Sequence, residues 1–171
     1  MTEQEQREIA RRILEALYDT WERHTDLSLN TVQEQGGWEK SVFRTVVDRL
    51  EKQQGLIRGA GSSYSFEITP DGITRAEESG IIPNEKVEWH RNIRQHILAF
   101  LADLYDREGS RAHEHYEKIA NGAAVNNRME ILRDLSYLID IGDVEAASTS
   151  SFRITDKGLR SYKGSDFEDL I

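Results

Sequence analysis

His113-Glu114-His115, with Glu117 two residues on, is the densest gathering of metal-ligating side-chain types in the chain. On a helix, residues two apart point about 200° from each other, so His113 and His115 cannot close on one ion. His115 then reads as an ordinary exposed or partly packed residue. His90 and His96 stand six apart and share no helix face, and His24 is isolated. Gly36-Gly37-Trp38-Glu39-Lys40-Ser41 has the residue types of a phosphate loop, but the glycines are wrongly spaced and no buried strand precedes them. There is no dinucleotide fingerprint. No two carboxylates sit together in an apolar stretch that would set one as acid and one as base. The absence of cysteine removes disulfides, thiolate ligands and thiol nucleophiles together. These residues lead us to expect no enzyme, no metal and no cofactor.

The elements that position the remaining side chains follow from composition and pattern. The 171 residues allow one ordinary domain or two small ones. With 37% apolar and 31% charged residues the chain is polar but foldable. No run approaches the roughly 18 apolar residues of a membrane span. Met1 to Gln6 is polar and acidic, unlike a signal peptide, so a soluble cytoplasmic protein is expected. The formal charge of −9, from 22 basic and 31 acidic groups, disfavours a non-specific nucleic-acid coat and leaves room for a local basic face.

An internal repeat organises the chain. Phe66-Glu67-Ile68-Thr69-Pro70-Asp71-Gly72 returns as Phe152-Arg153-Ile154-Thr155-Asp156-Lys157-Gly158, offset by 86 residues. Ile13-Leu14 with Leu17 returns as Ile97-Leu98 with Leu101, and Val46-Val47-x-x-Leu50 as Ile131-Leu132-x-x-Leu135. Two copies of one unit meet near Gly80 to Asn84, where a Gly and a Pro mark a linker. Residues 1–83 carry net charge −5 and residues 84–171 net −4, so neither half is the basic one.

In the first copy the spacing predicts a helix over 6–24, its inward face made by Ile9, Ile13, Leu14, Leu17 and Trp21. A short extended piece over 27–29 follows. Asn30 is placed to cap a second helix with Gln33 completing a capping box. A third helix spans 39–53, facing inward through Val42, Phe43, Val46, Val47 and Leu50, and Gly55 ends it. A hairpin has its second strand over 64–68, and Thr69-Pro70 starts a last helix. The second copy predicts helices over 85–107, 113–120 and 127–141, a hairpin with its tip at 148–151, and a helix over 155–162. Trp89, Ile93, Ile97, Phe100, Leu101 and Leu104 form the inward face of its long first helix. The early turns of that helix, with Val87 and Trp89, are candidates for packing on the first domain or for a dimer contact. The tail over 164–171 is acidic and expected to fray.

Helix, helix, turn, helix, hairpin, helix, with Leu50-x-x-x-x-Gly55-Leu56-Ile57 before the hairpin and Ile68-Thr69-x-x-Gly72 after it, resembles a winged helix-turn-helix domain. The second copy keeps Ile154-Thr155-Asp156-Lys157-Gly158 but has Ile141-Gly142-Asp143-Val144 where the first has Gln54-Gly55-Leu56-Ile57. The resemblance covers nearly the whole chain as two tandem domains, residues 1–83 and 84–171. It is nearest in style to the MarR- and PadR-like transcriptional regulators, which usually carry one such domain. It implies a mainly α fold with small β-hairpin wings.

The resemblance further implies that the third helix of each copy enters the major groove of double-stranded DNA while the hairpin tip follows the backbone. By position the first copy presents Lys40, Ser41, Arg44 and Thr45 from its third helix, with Arg58 and Ser62 from its wing. The second presents Asn126, Asn127, Arg128 and Arg133, with Ser148, Thr149 and Arg153 on its wing. Arg can pair with guanine, Asn with adenine, and Ser or Thr with phosphate. Glu39, Asp48, Glu51, Glu130 and Asp134 are placed on or near the same faces and oppose phosphate. The alternative role is protein–protein assembly, with a second copy of the chain or another protein as partner. There the chain resembles the chromosome-segregation ScpB proteins in size, duplication and acidity. Trp38 reads either as a staple holding the turn to the core or as an aromatic that docks a partner or gates a small-molecule pocket.

Overall fold

The computed structural model describes residues 1–61, 64–123, 125 and 128–164, with residues 128 and 129 described by backbone alone. It is mainly helical with small antiparallel sheets, and it divides into two compact units, Met1–Val87 and Glu88–Ile171. Among the described residues no helix is long and apolar enough to cross a membrane. The predicted acidic tail beyond Gly164 and the wing residue Ser62 lie outside the described residues.

The first unit runs α1 (Glu3–Arg23), α2 (Leu29–Gly36), α3 (Lys40–Asp48), a π-helical turn over Arg49–Gln53, β1 (Ile57–Gly59), β2 (Phe66–Ile68) and α4 (Pro70–Glu78). Ile9, Ile13, Leu14 and Leu17 of α1 are buried, at three- and four-residue steps. Tyr18 completes the stripe where Trp21 was expected. Its ring meets the half-buried Trp21 at 5.2 Å, and its hydroxyl donates to buried Glu77 at 2.9 Å. Phe43, Val46, Val47 and Leu50 close the core from α3 and the π turn. The cap of α2 is Ser28, not Asn30: Ser28 Oγ accepts from the Asn30 amide at 3.3 Å. Gln33 closes no capping box, because its amide donates to the Trp38 carbonyl. Ser28 also bridges Ser65, which adds a third strand position to the β1–β2 hairpin. The predicted strand over 64–68 is shorter than expected. Tyr64 has φ +61°, a left-handed turn conformation, so extended pairing starts at Ser65.

Helix α5 (Asn84–Glu108) crosses the division between the units. The second unit continues with β3 (Glu114–His115), α6 (Tyr116–Gly122), α7 (Arg128–Asp140), β4 (Val144–Ala146), β5 (Ser151–Ile154) and α8 (Asp156–Lys163). Its sheet order is β3-β5-β4, all antiparallel. Glu114 and His115 are therefore strand residues, not the first turn of a helix. His115 instead caps α6, its Nδ1 accepting from the Glu117 amide at 3.2 Å. The inward stripe of α5 also differs from expectation. Trp89 is 53% exposed and Phe100 half-buried, while His90 and Arg94 are buried with Ile97, Leu101 and Leu104. Steps of 90, 94, 97, 101 and 104 keep one helical face, so its first turns face inward with polar side chains.

The repeated Ile-Thr-x-x-Gly segments make the same bonds twice. Thr69 Oγ1 accepts from the Gly72 amide at 3.1 Å and donates to the Gly55 carbonyl at 2.7 Å. Thr155 Oγ1 accepts from the Gly158 amide at 3.0 Å and donates to the Gly142 carbonyl at 2.6 Å. Gly55 and Gly142 have φ of +63° and +85°, the left-handed region that ends the preceding helix and returns the chain to the hairpin. Each Thr ties a helix start to the end of the previous helix. Thr69→Ala and Thr155→Ala are each expected to destabilise their own unit by about 1–2 kcal/mol, read by urea denaturation.

Candidate nucleic-acid interface

Lys40 and Arg44 lie one turn apart on α3, with Ser41 and Thr45 beside them, and all four are exposed. Ser41 Oγ donates to Glu39 at 2.5 Å, and Thr45 Oγ1 donates to the Ser41 carbonyl at 2.9 Å. Asp48, the next acid along this face, is paired with Lys52 at 3.0 Å. Among the described residues neither Lys40 nor Arg44 has a carboxylate within ion-pair distance. Arg44 lies over the Tyr64 ring at 5.9 Å, which brings the hairpin turn beside α3. Burial pushes the Tyr64 phenol up, with the Arg44 charge acting the other way. Asn30, Gln33, Glu34 and Phe43 join Lys40, Arg44 and Tyr64 around a small hollow of about 220 Å³. The α3 candidates of the first unit thus share one patch.

The hairpin arginines are not free cations. Arg58 pairs with Glu67, which stands directly opposite it in the β1–β2 register. Arg153 pairs with Glu145 at 2.5 Å, again directly opposite in register. The two hairpins carry the same cross-strand pair with the strands exchanged. Each charge is matched before any phosphate arrives. Ser148 Oγ accepts from the Ser151 amide at 3.2 Å, so it closes its own turn.

The second unit's α7 differs more. Asn126, Asn127 and the side chain of Arg128 lie outside the described residues. Arg133 is half-buried, and its Nε is shut from solvent with no hydrogen-bond partner among the described residues. That burial lowers its pKa, although a guanidinium stays charged. Asp134, expected among the acids opposing DNA, is fully buried and belongs to the core. Its Oδ1 accepts from Arg94 Nε at 2.7 Å and its Oδ2 lies 2.9 Å from His90 Nδ1. An ionised carboxylate can only accept, which places the proton on Nδ1. The Arg94 guanidinium lies 3.9 Å from the Tyr137 ring centroid. Sequence reasoning missed this cluster. The available signal was His90-x-x-x-Arg94, one turn apart and in phase with Ile97 and Leu101.

Trp38 takes the place that its reading as a staple gave it. It is half-buried and stacks on Phe43 with ring centroids 6.1 Å apart, which holds the α2–α3 turn to the core. It also lines a cleft. Among the described residues no three or more His, Asp or Glu side chains gather as a metal set. No protein-family model, no curated protein and no solved structure matches this chain.

Proposed function

We propose that this chain is a non-enzymatic tandem winged-helix protein, with domains over residues 1–83 and 84–171, that binds double-stranded DNA and acts as a transcriptional regulator. The observation that carries the reading is the open face of α3, where Lys40 and Arg44 stand a turn apart with no carboxylate partner among the described residues and Ser41 and Thr45 flank them. The order helix, strand position, helix, helix, hairpin, helix recurs in both units and is the order of winged-helix domains. In such domains the helix at the place of α3 enters the major groove. The matched pairs Arg58–Glu67 and Arg153–Glu145 leave the wings a minor part, so binding depends on the helix face.

Fluorescence anisotropy with mixed double-stranded fragments, titrated from low to physiological salt, tests this. Affinity is expected to fall steeply with salt. Lys40→Ala and Arg44→Ala should each flatten the slope of log K against log salt by about 0.9. Arg58→Ala should change it less, because Glu67 already holds that charge. A chain that fails to bind even at low salt is no DNA-binding regulator. The second reading, an acidic assembly module, then takes its place. It is favoured by the cancelled wing charges together with the net −9.

A further inference from the structure

The hollow beside α3, within the unit Met1–Val87, holds about 220 Å³. That is below the ~300–1,000 Å³ of sites for drug-sized molecules, and it suits an ion-sized group. Most of its wall is polar. Lys40 and Arg44 bring two positive charges to it from α3, and among the described residues neither has a carboxylate within ion-pair distance. Asn30 adds an amide from α2 that makes no side-chain hydrogen bond among the described residues. The Gln33 amide is engaged by the Trp38 carbonyl and adds no donor.

Tyr64 steadies Arg44. Its ring centroid lies 5.9 Å from the guanidinium and its ring meets Phe66 edge-on at 5.7 Å. Its carbonyl accepts from the Leu29 amide, at the start of α2, at 3.3 Å. A cation held in place before a ligand arrives loses less freedom on binding. Glu34 is the one acid among the described residues around the hollow. It stands on α2, beyond ion-pair reach of Lys40 and Arg44, so it weakens their field without cancelling it. Two cations against one carboxylate leave the hollow net positive.

We propose that this hollow seats a single phosphate group. The Lys40 ammonium, the Arg44 guanidinium and the Asn30 amide donate to its oxygens, the guanidinium fork matching two of them. The group belongs to a small phosphate ester or to the backbone of a duplex. The site shares its cations with the DNA reading but does not rest on it, because a lone phosphate binds without a duplex.

Nuclear magnetic resonance of the isotope-labelled full chain, titrated with inorganic phosphate at neutral pH and at an ionic strength held constant with chloride, tests it. The backbone amides of Asn30, Lys40, Arg44 and Tyr64 should shift together and saturate by tens of millimolar phosphate. Lys40→Ala and Arg44→Ala should each weaken phosphate about tenfold. Glu34→Gln keeps the shape, removes the opposing charge and should tighten it about threefold. Arg23→Ala removes an exposed cation that pairs with Asp19 at 3.0 Å, and should leave phosphate binding unchanged. The source of the group is read by anisotropy. A bound duplex displaced by phosphate better than by chloride at equal ionic strength places its backbone in the hollow, and equal displacement assigns the hollow to small esters. Saturating phosphate shifts in a chain that binds no duplex uphold this site and end the DNA reading. Duplex binding without phosphate shifts overturns this site alone. So do shifts that chloride reproduces, or phosphate binding indifferent to both Lys40→Ala and Arg44→Ala.

Discussion

Asp134→Ala is expected to destabilise the second unit by about 3–5 kcal/mol, a large share of the ~5–15 kcal/mol that holds a typical domain together. Asp134 is wholly buried, and it is an acceptor for Arg94 at 2.7 Å and for the His90 ring at 2.9 Å. Removing it takes a buried carboxylate from Arg94, a residue only 7% exposed, and from the buried His90 ring. Most of the cost is the weakened compensation of a buried charge, not the lost attraction. The triple replacement His90→Leu, Arg94→Met, Asp134→Leu removes the charges together and should recover most of the stability, or exceed the parent. Urea denaturation followed by far-ultraviolet circular dichroism measures both. A triple variant as unstable as Asp134→Ala would mean that the cluster fixes geometry apolar side chains cannot reproduce. The cluster joins α5 to α7, the helix that the functional reading places in DNA.

The second large effect concerns two glycines that no periodicity argument would single out. A Cβ on Gly72 would lie under 3.0 Å from the Leu56 carbonyl oxygen, and one on Gly158 equally close to that of Asp143. Neither carbonyl is free to retreat. The Thr69 and Thr155 amides bind them at 3.0 Å each, and the same Thr residues cap the helices that carry the glycines. Alanine at either place should cost its unit about 3 kcal/mol. Gly59→Ala is the control: a Cβ there would meet nothing nearer than Glu51 Oε1 at 3.8 Å, and its φ is not in the left-handed region. It should shift stability by no more than about 1 kcal/mol. Equal losses at Gly72 and Gly158 are the energetic counterpart of the repeated bonds. A loss at only one of them would mean that the two segments share residues without sharing a role.

The candidate patch on α3 has a simple electrostatic logic. A cation on a hairpin stands across from whatever its partner strand presents, and here both partners are glutamates. A cation on the outer face of α3 meets first the side chains three or four residues away. Of the acids along that face, Asp48 is matched by Lys52 and Glu39 accepts from Ser41. Among the described residues, Lys40 and Arg44 are thus left without a carboxylate at ion-pair distance.

What could be read from the residues alone is what local chemistry controls. The order of helices and hairpins, the caps at Thr69 and Thr155, the helix-ending glycines at 55 and 142 and the inward stripe Ile9-Ile13-Leu14-Leu17 follow from backbone bonding and periodicity within a few turns. Errors arose where two adjacent residues competed for one face. Trp89 and His90 differ by about 100° around the helix axis, and hydrophobicity favoured the tryptophan. The buried place went to His90, because Asp134, 44 residues away in sequence, waits there with Arg94. Likewise Ser28 and Ser65 pair across 37 residues, and Arg58 and Arg153 find their glutamates only once strand register is set. Periodicity states which side of an element turns inward. Which partner it meets there depends on chain segments brought together by collapse, and that choice decided which charges are buried, which are cancelled and which remain open.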